Sequence, residues 1–178
     1  KRRYYVFNLL EELDSPGEWY VDRESAALYF FPVNGDLSDV VLSVQKKPLI
    51  QVSKAAHIRL EGLRFLYSTG KAVAVDGCES VVLKNLRVAS LTGDGISVSG
   101  GKNCGLDHCD VSDTGGTCVS VYAGDRKTLS GCGHFVTNCH LHHSGRLQRT
   151  QGKCLSFVGV GITVAHNLIH DAPYIAVG

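Results

Sequence analysis

The residues able to do chemistry gather in the second half of the chain. Asp94 sits in Thr92-Gly-Asp-Gly95, a tight turn that would hold a carboxyl rigidly. Asp125 and Lys127 lie in the segment Tyr122-Ala-Gly-Asp-Arg-Lys-Thr-Leu-Ser-Gly131. His143, Arg146 and Arg149 lie in His142-His-Ser-Gly-Arg-Leu-Gln-Arg-Thr-Gln-Gly-Lys153, and Asp171 precedes Ala172-Pro173. Carboxyls beside cations serve general acid–base chemistry, and two reactions of that kind set sharp geometric demands. Hydrolysis of a glycosidic bond needs two carboxyl groups, about 5–5.5 Å apart for retention and 6.5–9.5 Å for inversion. Elimination from a uronate needs a base beside the C5 proton and a cation on the carboxylate. The expected catalytic groups are therefore Asp94, Asp125, Lys127, His143 and Asp171, with Asp94 first because a turn orients it better than a loop. Arg146 and Arg149 are expected to bind substrate, since a guanidinium fork suits bidentate contact.

Plainer roles compete with these. Asp94 and Asp113 are common turn residues, and Asp171 before Ala-Pro can cap a turn. His140, His142 and His143 suggest a metal by count. Alternation along a strand sends neighbours to opposite faces, and no Cys-x-x-Cys or His-Glu-x-x-His pattern is present. The expectation is therefore no metal and no cofactor.

What must position these groups is a repeat. Five segments superimpose: Ile58-Arg-Leu-Glu-Gly-Leu-Arg-Phe65, Val81-Val-Leu-Lys-Asn-Leu-Arg-Val88, Cys104-Gly-Leu-Asp-His-Cys-Asp-Val111, His134-Phe-Val-Thr-Asn-Cys-His-Leu141 and Ile162-Thr-Val-Ala-His-Asn-Leu-Ile169. One apolar column is Leu60, Leu83, Leu106, Val136 and Val164, in steps of 23, 23, 30 and 28 residues. A second column is Gly62, Asn85, His108, Asn138 and His166, the types that most readily take positive φ. Phe65, Val88, Val111, Leu141 and Ile169 face inward again. A third run follows each time: Ala72–Val75, Gly95–Val98, Cys118–Val121, Cys154–Phe157 and Tyr174–Val177. The alternation has period two, so each unit is three short strands and three turns. Stacked, such units bury one another's inward side chains.

The fold class is thus all-β: a right-handed single-stranded parallel β-helix of about five rungs over residues 50–178. A leucine-rich repeat of similar period is the rival, but a β-run fills the place of its helix. Residues 1–49 read as a lead-in. Asn8 to Leu13 suggests one helical turn capped by Asn8. Glu18–Val21 and Leu28–Phe31 suggest a hairpin in which Trp19 packs. Asn34–Asp39 reads as a loop. The chain stops within a strand pattern with no polar cap, so it is expected to be a piece of a larger protein.

The two long steps hold the two polar segments, one immediately after the Cys118–Val121 run and the other immediately before its counterpart Cys154–Phe157. They are expected to wall one groove on the face of the third strands, bringing Asp94, Asp125, Lys127, His143, Arg146 and Arg149 together. Cys109 should lie over Cys139, and Cys118 over Cys154. In regular rungs Asp94 and Asp171 stand three strands apart, roughly 14 Å, too far for a carboxyl pair.

Composition removes several classes. Of 178 residues, 44% are apolar, enough to bury a core, so the chain is not a disordered tail. Eighteen Lys and Arg against seventeen Asp and Glu leave a net charge of +1, which argues against nucleic acid or a polybasic membrane surface. No apolar run is long enough to span a bilayer. The opening Lys1-Arg-Arg-Tyr-Tyr5 leads into acidic residues, not a signal core. Twenty Gly with four Pro mark an ordered, turn-rich chain.

On its rung pattern over residues 50–178 the sequence resembles the pectate-lyase-like β-helix superfamily. Leu13-Asp-Ser-Pro-Gly-Glu-Trp-Tyr-Val-Asp-Arg23 with Ala27-Leu-Tyr-Phe-Phe-Pro32 is similar to the segment preceding the helix in secreted bacterial β-helix proteins related to glycoside hydrolases. Asn167-Leu-Ile-His-Asp-Ala-Pro-Tyr174 is similar to late rungs of that group. The resemblance implies an extracellular or cell-surface protein whose partner is a polysaccharide or oligosaccharide. Glycoside hydrolysis is favoured over polysaccharide elimination, and a non-catalytic glycan-binding or scaffold β-helix is the alternative. Fold alone does not fix the reaction.

Overall fold

The computed structural model describes residues 6–38 and 40–178; the basic opening Lys1–Tyr5, and Asp39 of the predicted loop, lie outside the described residues. Two compact units divide between Val41 and Leu42. In the first, Leu10–Glu12 form a single 3-10 turn, and β1 (Trp19–Asp22) pairs antiparallel with β2 (Ala27–Phe30). Asn8 does not cap the turn. Its side-chain oxygen accepts from the Val21 N–H at 2.8 Å and its amide donates to the Val21 carbonyl at 3.0 Å, so it acts as a one-residue strand partner. Trp19 is 56% exposed, against the packing role expected for it. The predicted 34–39 loop opens with a 3-10 turn at Val33–Gly35.

The second unit consists of three parallel sheets of five strands each. One stacks β4 (Arg59–Glu61), β7 (Val82–Lys84), β10 (Gly105–Asp107), β13 (Phe135–Thr137) and β16 (Thr163–Ala165). The next stacks β5 (Arg64–Ser68), β8 (Arg87–Leu91), β11 (Asp110–Ser112), β14 (His140–His142) and β17 (Leu168–His170). The third stacks β3 (Ile50–Ser53), β6 (Val73–Asp76), β9 (Ile96–Ser99), β12 (Val119–Ala123) and β15 (Leu155–Gly159). Strands and turns, not helices, occupy residues 66–80 and 89–103, where a leucine-rich repeat would need a helix.

The sequence columns are the observed registers except in the last run: Tyr174–Val177 forms no strand, and Val177 rather than Ile175 bridges to Leu155. Leu60, Leu83, Leu106, Val136 and Val164 pair in order, as do Phe65, Val88, Val111, Leu141 and Ile169. The long step also holds: Val119 pairs with Leu155. Inward residues of the middle rungs, such as Leu83, Leu106, Leu141 and Leu155, are fully buried. Each buries a side chain worth about 1.5–3 kcal/mol, which one rung alone could not hide. Cys109 and Cys139 are one residue before the pair Asp110 and His140, and Cys118 and Cys154 one before Val119 and Leu155. All seven cysteines are buried free thiols.

The bend column Gly62, Asn85, His108, Asn138 and His166 has φ of 69°, 50°, 53°, 54° and 56°. Two further columns do the same. Tyr67, Ser90, Asp113, His143 and Asp171 have φ of 50–58°, and His57, Ser80, Asn103, Gly133 and Gly161 have φ of 53–72°. Each rung thus carries left-handed residues at all three of its corners, with a second one at the turn after the third sheet in Lys54, Gly77 and Gly100 (φ of 50°, 60° and 58°).

Candidate functional site

The corner between the second and third sheets carries most of the reactive groups. Asp113, His143 and Asp171 occupy it on three successive rungs. With Ser144, Gly145, Arg146, Arg149 and Pro173 they line an open recess of about 420 Å³. Asp and His are among the few side-chain-bearing residues enriched at such backbone angles, so the corner that bends the chain also presents polar groups outward. The loop carrying the two arginines is fixed from below. Amides of Gly145, Arg146, Leu147 and Gln148 donate to carbonyls of Gly116, Thr114 and Gly115 at 2.8–3.0 Å. Arg146 Nη1 donates to Asp113 Oδ1 at 2.8 Å.

Around Asp171 the contacts are dense. His170 Nδ1 lies 2.7 Å and His143 Nε2 3.5 Å from Asp171 Oδ2. The hydrogen bond from His170, reinforced by the charge of His143, holds the Asp171 carboxyl below the usual carboxylate range. His143 Nδ1 is 2.6 Å from His142 Nδ1, one nitrogen donating to the other. His142 is more buried than its neighbours; burial, then the proximity of His140, lowers its pKa.

The sequence-predicted residues do not converge on one cleft. His143, Arg146, Arg149 and Asp171 share the corner recess, joined by Asp113, which the sequence treats as a turn residue. Asp94 lies in the turn leading into β9, at the edge of the third sheet. There it lines a separate groove of about 410 Å³ with Thr117, Tyr122, Gln148, Gln151, Lys153 and Tyr174. Its Oδ1 accepts from the Thr117 N–H of the next rung at 2.9 Å, and Lys71 Nζ stands 3.9 Å from Oδ2. One oxygen of Asp94 thus ties two rungs together. Asp125 and Lys127 line neither recess. Asp125 accepts from the Lys127 N–H at 2.8 Å and from Thr128 Oγ1 at 2.9 Å, closing its own loop.

One cluster departs from the sequence expectation of no metal. His140, His142 and His170 each offer a ring nitrogen, and these nitrogens all lie within 4.8 Å of one another. Alternation separates His142 from His143, but His140 and His142 are two apart and share the outward face of β14, with Leu141 buried between them. The third member comes from the next rung, where His170 pairs in register with His142. Adding the 28-residue step to His142 would have found it.

The family model describing the right-handed β-helix region matches residues 49–177. The chain belongs to that family, in keeping with the pectate-lyase-like pattern of its rungs. No curated protein and no solved structure matches it. Among the described residues, no helix is long and apolar enough to cross a membrane.

Proposed function

We propose that this β-helix acts on polysaccharide and hydrolyses glycosidic bonds at the corner recess. One observation carries the reading: Asp113 and Asp171 occupy the same corner two rungs apart, in one recess, with His143 between them. Two rungs separate their backbones by about 9.6 Å. Inverting hydrolysis uses carboxyl groups about 6.5–9.5 Å apart, with room for a water. Asp171, kept ionised by His170, suits the base that activates that water. Asp113, across the recess, is assigned the proton donor's place, its Arg146 contact passing to the sugar. Arg146 and Arg149 hold the sugar. Tyr122, Tyr174, Gln148 and Gln151, beside Asp94 in the neighbouring groove, offer apolar faces and amides for a further sugar unit. This pair displaces Asp94 as first choice and gives Asp125 and Lys127 no step. A polysaccharide substrate would be met at or outside the cell surface.

A second reading has its own support. Two guanidinium groups beside His143 suit a uronate, with Arg neutralising the carboxylate and histidine taking the C5 proton. A panel of neutral and uronate glycans separates the readings when new reducing ends and unsaturated-uronate absorbance are measured together. Reducing ends alone mean hydrolysis; both signals mean elimination. Glycan retention without cleavage replaces both with a binding role. For hydrolysis, Asp113→Asn and Asp171→Asn should each lower turnover by about 10²–10⁴-fold, the usual contribution of a general acid or base. Full turnover in both variants would overturn the assignment.

A further inference from the structure

We infer that His140, His142 and His170 form a binding site for one divalent transition-metal ion of the zinc class. The site lies on the outward face of the second sheet, against the wall of the corner recess. Its geometry follows from the rung registers. Asp110 pairs with His140, and His142 pairs with His170, so three successive rungs deliver four polar side chains to one patch. His170 donates from Nδ1 to Asp171 at 2.7 Å, and His140 turns Nδ1 toward Asp110 Oδ2 at 3.7 Å. Both rings aim Nε2 at the same point: those two atoms stand 2.7 Å apart, His140 donating to His170, and a bound ion would send that proton to His140 Nδ1 on the Asp110 side.

The carboxylate hydrogen-bonded behind His170 is the arrangement that fixes the tautomer of a metal-ligating histidine and raises its basicity, and Asp110 stands within reach of His140 to do the same. His142 completes the trio, its ring stacked on His140 with centroids 4.0 Å apart and on His170 at 5.1 Å. Asp110 also approaches His142, Oδ1 lying 3.5 Å from Nε2.

Nitrogens around a tetrahedral ion at 2.0–2.1 Å sit about 3.4 Å from one another. The closest pair must part by about 0.7 Å, and the widest separation must close by at most about 1.4 Å. Rotation of half-exposed side chains provides such shifts with no movement of the rungs. The donor set discriminates: three imidazoles suit Zn²⁺, Ni²⁺ or Cu²⁺, while Ca²⁺ and Mg²⁺ require oxygen ligands. All three rings keep some exposure, so the fourth position is open to water, the form that reactive rather than structural sites take.

The test is calorimetric titration of the untagged, intact chain with ZnCl₂ at roughly pH 7.5, where ordinary histidines are neutral. One ion per chain is expected, with no comparable uptake of CaCl₂. The double variant His140→Ala/His170→Ala should abolish zinc uptake while its circular dichroism and melting remain those of the parent. Asp110→Asn, which leaves all three rings in place, should weaken binding by about 10–100-fold. All seven cysteines persist in these variants, so the loss reports on histidine. Co²⁺ gives an independent signature, visible bands without thiolate charge-transfer absorption. Zinc uptake that survives the double variant, thiolate absorption with Co²⁺, or no uptake by the parent would each overturn the inference.

Discussion

His134 offers a sharp test of how the stack is held. Its side chain is fully buried, in a column otherwise made of Ile58, Val81, Cys104 and Ile162. Nδ1 accepts from the Cys104 N–H at 3.0 Å, and Nε2 donates to the Gly100 carbonyl at 2.9 Å. One neutral tautomer satisfies both groups. Replacing it by leucine keeps most of the volume and leaves a buried N–H and a partly buried carbonyl without partners. A buried orphan costs about 1–3 kcal/mol and a partly buried one sits at the low end, about 1 kcal/mol, so His134→Leu should lose about 2–4 kcal/mol. For a chain of this size the melting point should fall by roughly 5–15 °C.

The pH dependence is the stricter measure. Burial holds the His134 pKa below its ordinary value of 6.5. The unfolded chain then takes up the proton first as the medium is acidified. The neutral ring's contribution is therefore fully present above about pH 6.5 and is lost as pH falls toward the depressed folded value. Leucine lacks that loss, so the stability gap between parent and variant should narrow between about pH 7.5 and pH 5. Urea unfolding at several pH values measures the gap. A cost under about 1 kcal/mol, or a gap that stays constant with pH, would refute the reasoning.

Three further outcomes are expected. A Cβ on Gly105 would collide with the Phe135 carbonyl of the next rung, so Gly105→Ala should cost about 3 kcal/mol in chemical unfolding. Ser90 holds φ of 58° at a solvent-exposed corner. Ser90→Gly should therefore raise stability by about 0.5–1 kcal/mol, strain relief less the added unfolded-state freedom, read from the urea midpoint. Iodoacetamide should add nothing to the native chain and seven labels in denaturant by intact mass, because all seven thiols are buried.

The fold was largely legible because each rung repeats its neighbour's burial. Leu83 over Leu106 and Val119 over Leu155 can be read from apolar columns even across a 36-residue step. Only the corner made of Gly, Asn and His announced itself. The corner of Tyr67, Ser90, Asp113, His143 and Asp171 hid behind mixed residue types, since Tyr and Ser seldom take that conformation. The site suffered most from this. Asp113 looked like an ordinary turn residue, and the groups on the two insertions were expected on one face. They line separate recesses instead, His143, Arg146 and Arg149 at the corner and Asp94, from the turn into β9, beside Tyr122 and Gln148. The histidine cluster needed parity along β14 and register to β17 at once, and either alone is uninformative.

The left-handed corners have a consequence for how such a molecule changes its chemistry. A backbone that admits chiefly Gly, Asn, Asp and His selects residues for their shape. Two of those, Asp and His, also move protons and bind ions. Scaffold and reagent are thus drawn from one short alphabet. Tyr67 and Ser90 occupy the same slots, two rungs and one rung before the reactive stretch respectively, as Asp113, His143 and Asp171 do within it. Ser90→Asp or Tyr67→His would place a new ionisable group in line with the others, at a pitch of about 4.8 Å and with no new turn to build. The corner behaves as a row of interchangeable sockets, along which a reactive centre can move in whole-rung steps while the core stays as it is.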